Sequence, residues 1–292
     1  MSGWVQVLFR YFEAMKSSIP KFSIFISLCL IFSSIGAYSQ KCSLTNNAFQ
    51  FGERIDYTIY YHLAGVWVAA GDVYFQVDSA NISNRLFYHF NSYGSSYEKY
   101  DWIYKVRDTY ETYTSVDDFK PLRFKRNVKE GSTTIQEDYV FKHNQGKVVT
   151  LRQMDEDEPF VKDTVSMKEC SFDVLTMIYY ARNIDFSNVE INEKVPIRIF
   201  IDNASYDSYI RYLGKKEIKV KGLGKFRCIV FSPYLIEGSI FNAGEDMTVW
   251  VTDDKNRVPL LIETPILVGS IKARVNKLQG LRYNLDSKLE ED

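Results

Sequence analysis

From Arg54 onward the chain alternates between apolar and polar positions. In RIDYTIYYHL, residues 54 to 63, Ile55, Tyr57, Ile59, Tyr61 and Leu63 share one parity. A period of two places them on one face of a strand. Val73, Phe75 and Val77 repeat the pattern after AGVWVAAG, where Gly65 and Gly71 act as punctuation. RLFYHFNSYG, WIYKVRDTYETYTS, LRFKRNVKEG, TTIQEDYVFKH and KVVTLRQM continue it. Gly, Asn and Asp part these runs about every ten residues, the spacing of an antiparallel meander. HNQGK at 143 to 147 reads as a turn, and MDEDEP at 154 to 159 as an acidic one.

One segment departs from this period. SFDVLTMIYYARNIDF, residues 171 to 186, sets Val174, Leu175, Ile178 and Ala181 at helical spacing, with Ser171 or Asp173 as the N-cap. Strands then resume through KVPIRIFIDN, SYDSYIRYLG, KKEIKVKGLGKFRCIVFSP, EDMTVWVTDD, RVPLLIETP and SIKARVNKLQG. The predicted fold is mainly β: a large curved antiparallel sheet or barrel-like meander with one substantial helix near 171–183. Two β halves, roughly 48–153 and 187–283, flank that helix in one domain over 40–292.

The first 39 residues stand apart. Lys16 and Lys21 precede an apolar run from Phe22 to Ile35, and Ala37-Tyr38-Ser39 supplies a small-x-small cleavage signal. This is the layout of a secretory signal peptide behind a short N-terminal extension. The apolar run is shorter than the ~20 residues a spanning helix needs, so no transmembrane span is expected after cleavage. Either Met1 or Met15 serves as the start. The expected location is the periplasm or the periplasmic face of an outer membrane.

Charge adds an exclusion. With 36 basic and 37 acidic residues, and no basic stripe interleaved with aromatics, a nucleic-acid partner is not expected. Export makes a disulfide possible among Cys42, Cys170 and Cys228, with the pairing left open. No CxxC spacing points to zinc, and no cofactor is expected. His62, His89 and His143 are scattered, and GLG at 222 to 224 lies between strands rather than opening a helix. With no nucleophile–base pair in view, an enzyme is not expected. In VWVTDDKNRVPLLIETP the acidic trio Asp253, Asp254 and Glu263 belongs to a β-hairpin, because neighbouring strand-like aspartates diverge. Asp78-Ser79-Ala80 and Asp163-Thr164-Val165 have the form of a short O-glycosylation signal.

Aromatic wealth carries the functional expectation. Tyr93, Tyr97, Tyr100, Trp102, Tyr104, Tyr110 and Tyr113 crowd one stretch, mixed with Arg107 and Asp108. Flat rings with polar handles suit sugar faces or amphiphile headgroups, while cross-strand packing is the plainer use. Trp67, Tyr100, Trp102, Tyr104 and Trp250 are the expected wall of a ligand cleft, with Arg107 or Asp108 fixing a polar group.

The ordered blocks FGERIDYTIYYHLAGVWVAAGDVYFQV, DWIYKVRDTYETYTSVDDFKPLRFKRNVKEG, DVLTMIYYAR, KGLGKFRCIVFSP and VWVTDDKNRVPLLIETPILVGSIKARV resemble an exported domain-of-unknown-function family, number 3108, of Bacteroidetes-type envelopes. The resemblance covers roughly residues 48 to 283. It implies a β-rich periplasmic or envelope protein and brings no activity. Gly52-Glu53, Asp108, Asp173, Trp250 and Asp254 fall in its blocks, where strand geometry and turns are their simplest roles. The expected function is an exported, non-enzymatic envelope protein binding a lipid, glycolipid or glycan in a cleft of its sheet. Assembly with another envelope protein is the alternative, and a hydrolase the third.

Overall fold

The computed structural model describes residues 42, 44–63, 65–236, 243–266 and 269–290. The signal-peptide reading of residues 1–39 lies outside them. Period-two alternation becomes β1 (Arg54–Leu63), β2 (Val66–Ile82), β3 (Arg85–Ser96), β4 (Arg107–Ser115), β5 (Pro121–Glu130), β6 (Thr133–Lys142), β7 (Lys147–Gln153) and β8 (Val161–Ser166). The second half supplies β9 (Lys194–Ile201), β10 (Ala204–Val220), β11 (Gly224–Pro233), β12 (Thr248–Thr252), β13 (Pro259–Pro265), β14 (Ser270–Gln279) and β15 (Lys288–Leu289).

All the strands belong to one antiparallel sheet, in the order β8-β7-β6-β5-β4-β3-β2-β1-β14-β13-β12-β11-β10-β9, with β15 pairing on β11. The β1–β14 ladder, from Arg54 opposite Gln279 to His62 opposite Ser270, joins the two halves. The expected fold class is therefore what the chain adopts.

No ladder closes β8 onto β9, yet side chains bring the ends of the sheet together. Tyr139 of β6 meets Phe200 of β9 edge-on at 5.5 Å between ring centres. Asp202, in the β9–β10 turn, takes Arg126 of β5 at 2.6 Å. Lys168, just beyond β8, reaches Asp207 of β10 at 2.6 Å. The free edge of β9 is covered where Phe172 bridges Ile199 in parallel.

The helix α1 spans Val174–Ala181, shorter at both ends than the expected 171–183. Its N-cap is Asp173, whose carboxylate accepts from the Leu175 and Thr176 amides at 3.0 and 2.9 Å. The same carboxylate accepts from the hydroxyls of Thr112 on β4 and Thr176, so the cap also fastens the helix to the sheet. The buried residues are Leu175, Thr176, Met177, Tyr179 and Tyr180, whereas Ile178, expected inside, is exposed. A helix lying within a curled sheet is enclosed on most sides, so a single apolar stripe does not describe its burial.

Around α1 the main core gathers Phe49, Phe90, Phe119, Phe124, Tyr139, Tyr179 and Phe200. Phe90 and Tyr179 stack at 3.9 Å. A second cluster joins Ile55, Tyr57, Phe226, Cys228, Leu260 and Val275, with Trp250 packed against it. At the end of α1, Arg182 is sealed against Glu53, with side chains 2% and 1% exposed. Its guanidinium also donates to the Asn256 carbonyl at 2.8 Å. Cys42 and Cys170 form a disulfide, while Cys228 is a free buried thiol pushed up to about 12 by burial.

Candidate functional site

Because neighbouring strands are antiparallel, their connections alternate between two ends of the sheet. The β2–β3, β4–β5, β6–β7, β10–β11 and β12–β13 connections share the end that holds α1. At the opposite end lie the β1–β2, β3–β4, β5–β6, β7–β8, β9–β10, β11–β12 and β13–β14 connections. The Asp253–Val258 loop belongs to the helix end and behaves as a turn. Asp254 accepts from the Asn256 amide and the Ser287 hydroxyl, while Asp253 pairs with Lys215. The two carboxylates diverge, as the hairpin reading expects.

The inner face changes character along the strands. Near α1 it is sealed by Val77, Phe90, Phe124 and Tyr139. Towards the other end the same parity presents Val73, Phe75, Tyr110, Ile262 and Ala273, which pack on the two clusters yet remain partly exposed. Beside them runs a ladder of charge. Arg126, Glu137 and Arg152 stand opposite one another on β5, β6 and β7. Glu137 lies 2.5 Å from both guanidinium groups and is fully buried at its side chain, and Asp202 completes the set. Two cations and two anions cancel, so the ladder is neutral.

Nearer the open end, further polarity comes from Asp108 on β4 and Glu130 at the end of β5. Burial, reinforced by the neighbouring Glu130 charge, pushes the Asp108 carboxyl up to about 7, and burial raises Glu130 as well. Asp108 also accepts from the Lys129 amide at 3.1 Å. Two adjacent carboxyls in a partly dry site share a proton more readily than they hold two charges. Burial likewise pushes the Tyr110 hydroxyl up to about 12, keeping it a hydrogen-bond donor. The wall therefore offers hydroxyl and carboxyl donors, carboxylate acceptors and a guanidinium edge next to an apolar floor.

Among the residues expected to form a wall, Tyr100, Trp102, Tyr104, Arg107 and Asp108 fall together in and just after the β3–β4 loop. Trp102 is 83% exposed at its tip. Tyr104 seats its ring against Gly131, where φ is +61° and an added Cβ would lie 2.8 Å from the ring. Arg107 is held by Asp101 at 2.6 Å and by Ser96, so its charge braces the loop. Trp67 sits on the outer face, stacked on His62 at 4.7 Å with Lys272 above it. Trp250 stands on β12 and packs on the second cluster, away from the others. Of the seven, Asp108 lies on the inner wall, and Tyr104 comes close enough for the Glu130 and Asp108 charges, after burial, to raise its hydroxyl.

Arg126, Glu137, Arg152 and Asp202 were not foreseen, although a signal exists. Arg126 sits between Phe124 and Val128 in the inward parity, and Glu137 between Ile135 and Tyr139. Charges on the apolar parity of paired strands mark a polar interior. Outside the sheet, a cleft of about 560 Å³ is lined by Arg54, Asp56, Asp72, Tyr74, Tyr93 and Asn276 among others. Arg54 is already spent there on Asp56 at 2.8 Å and on the Tyr74 ring at 3.8 Å. No cluster of three or more metal-ligating side chains occurs among the described residues. Ser79 and Thr164, of the two glycosylation-like triplets, are exposed.

A curled antiparallel sheet with a helix lodged in one end defines a barrel-like all-β domain. The chain belongs to the family described as Protein of unknown function (DUF3108), which matches residues 56–276. In fold it is similar to the crystal structure of a β-barrel-like protein of domain of unknown function DUF1849 from Brucella abortus. That likeness has a TM-score of 0.53 and 9% identity, covering 81% of this chain and 100% of the other. No curated protein matches the chain.

Proposed function

We propose that this chain is an exported, non-enzymatic envelope protein that holds a lipid or glycolipid in the open end of its curled sheet. The observation that carries the reading is the inner surface of Val73, Phe75, Ile262 and Ala273, which packs on the two clusters and stays partly exposed. An acyl chain on that floor would place its head at Tyr110, Asp108 and Arg126. The charge ladder is neutral, and burial works against charge on both carboxyls of the Asp108–Glu130 pair. That balance favours a hydroxyl-rich head, such as a sugar, over a bare phosphate.

The disulfide between Cys42 and Cys170 supports export, since such bonds persist in oxidising compartments. The non-enzymatic reading is supported by the buried Cys228, whose thiol is raised and therefore inert. His62, His89 and His143 also lie on β1, on β3 and beyond β6, with no shared cleft. Replacing Ala273 by Phe fills the floor, and the expected result is loss of a bound fluorescent fatty acid with the fold intact. Unchanged binding in that variant would refute the site.

Assembly with another envelope component remains the second reading, and β8 favours it. Among the described residues this strand pairs only with β7, and Val161, Lys162, Asp163 and Thr164 are exposed along it. A free edge of that kind can accept a strand from a partner.

A further inference from the structure

The exposed large apolar side chains are concentrated at the end of the sheet opposite α1. Val66, Trp67 and Val68 open β2 beside the β1–β2 turn, and Trp102, Ile103 and Tyr104 form the tip of the β3–β4 loop. The two tips are neighbours, because β2 pairs with β3 and the Tyr97 amide donates to the Ala70 carbonyl at 2.8 Å. Exposure reaches 83% at Trp102, 63% at Ile103 and 60% at Val66.

The β3–β4 loop turns its polar groups inward. The Trp102 indole donates to the Lys99 carbonyl at 3.0 Å. The Asp101 amide donates to Glu98, and those of Ile103 and Tyr104 both donate to the Tyr100 carbonyl. Asp101 is engaged by Ser96 and Arg107 at 2.6 Å each. The Trp102 ring therefore has no unmet donor, and the amides around it are bonded within the loop. Bonds of this kind close ordinary turns, and here they also leave the tip few polar groups to desolvate on entering hydrocarbon.

Among the described residues the tips carry unpaired charges of both signs, with two lysines beside the most exposed ring. Lys99 and Lys105 flank Trp102 and make no ion pair among the described residues, and Lys99 lies over the Tyr97 and Tyr100 rings. Lys272 sits 4.2 Å from the centre of the Trp67 ring while paired to Glu263. The neighbouring acids Asp101 and Glu263 are neutralised by those partners, leaving Glu98 and Asp72 as the nearby negative charges. Trp, Tyr and Lys together are the residues that settle at a membrane–water interface.

We infer that these two tips dock the protein on a lipid bilayer, with Trp102 and Ile103 inserting and Lys99 and Lys105 meeting headgroup phosphates. The inference rests on residues outside the inner pocket and holds whether or not that pocket carries a lipid. Docking in this orientation would bring the open end of the sheet to the membrane.

The test uses protein purified from the cell envelope of an expressing host and sedimented with vesicles of phosphatidylethanolamine and phosphatidylglycerol. Trp102→Asp with Ile103→Asp should weaken vesicle partitioning by about tenfold or more, while Trp102→Tyr with Ile103→Leu should keep most of it. High salt should weaken the wild type by screening the lysines. Unaltered melting of the double Asp variant controls for folding. Absence of binding to these vesicles, or equal binding by the double Asp variant, would overturn the inference, as would tips that instead capture a protein while ignoring vesicles. Retention of a pocket ligand by the double Asp variant separates this outcome from failure of the pocket reading, which Ala273→Phe addresses.

Discussion

Glu53→Gln should be among the most damaging single substitutions in this fold. The Glu53 and Arg182 side chains are 1% and 2% exposed, and the two partners come from β1's threshold and the end of α1. Removing one charge leaves the other buried and unpaired, which typically costs about 3–5 kcal/mol. Arg182 would keep its two bonds to the Asn256 carbonyl, at 2.8 and 3.2 Å, and its place over the Phe49 ring at 5.3 Å. Those residual contacts put the expected cost at the lower end, about 3 kcal/mol. For a unit of this size that corresponds to a fall in Tm of roughly 6–12 °C. Arg182→Met should cost a similar amount by stranding the carboxylate. The double variant removes both charges, so its loss should fall short of the sum by about 2 kcal/mol or more. Urea and thermal unfolding followed by circular dichroism measure all four proteins. Additive losses, or a Glu53→Gln cost below about 1 kcal/mol, would refute the assignment of this pair as the tie between α1 and the sheet.

Other consequences follow from the same structure. The Asp108 carboxyl titrates near 7 in the fold against an ordinary value of 3.8, so between those values the folded chain binds more protons than the unfolded one. Its contribution to stability is present on the acid side and is lost as pH rises through 7, by roughly 1–2 kcal/mol after allowance for solvent screening. Asp108→Asn should flatten that dependence in melting curves taken from pH 5 to pH 8, and an unchanged slope would contradict the shared proton. The Cys42–Cys170 bond closes a separation of 128 residues, for which loop entropy gives at most about 5 kcal/mol. Cys42→Ser with Cys170→Ser should lower Tm accordingly and abolish its dependence on reductant, whereas Cys228→Ala should keep the wild-type fall in Tm on reduction. Arg126→Met should leave Glu137 paired with Arg152 alone and remove the Asp202 contact, at a cost of about 2 kcal/mol read by denaturant unfolding.

Much of the sheet was legible because its signal is local. Strict alternation in RIDYTIYYHL and TTIQEDYVFKH needs no knowledge of partners, and the strands fall where parity places them. The position of α1 was legible for the same reason, with Asp173 as one of two candidate caps, Ser171 being the other. Its buried face was not, because Ile178 is exposed and Thr176 buried only through the way the sheet wraps around it. The pairing of Glu53 with Arg182 was invisible, since it joins residues far apart in sequence and Glu53 reads as a turn residue. Cysteine pairing was open for a related reason, as three thiols carry no spacing code. The aromatic stretch at 93–113 stands out in the sequence, yet its members split between an inner wall, a loop tip and an outer face. A strand's two faces and its end are separate environments, and composition does not distinguish among them.

The central claim is that the open end of the sheet holds an amphiphile. Its most direct test is mass spectrometry of organic extracts from the protein purified, without detergent, from its native envelope. The account predicts a lipid or glycolipid in about one-to-one ratio with the chain, absent from the Ala273→Phe variant. A chain that carries no amphiphile and instead retains a partner polypeptide would contradict it.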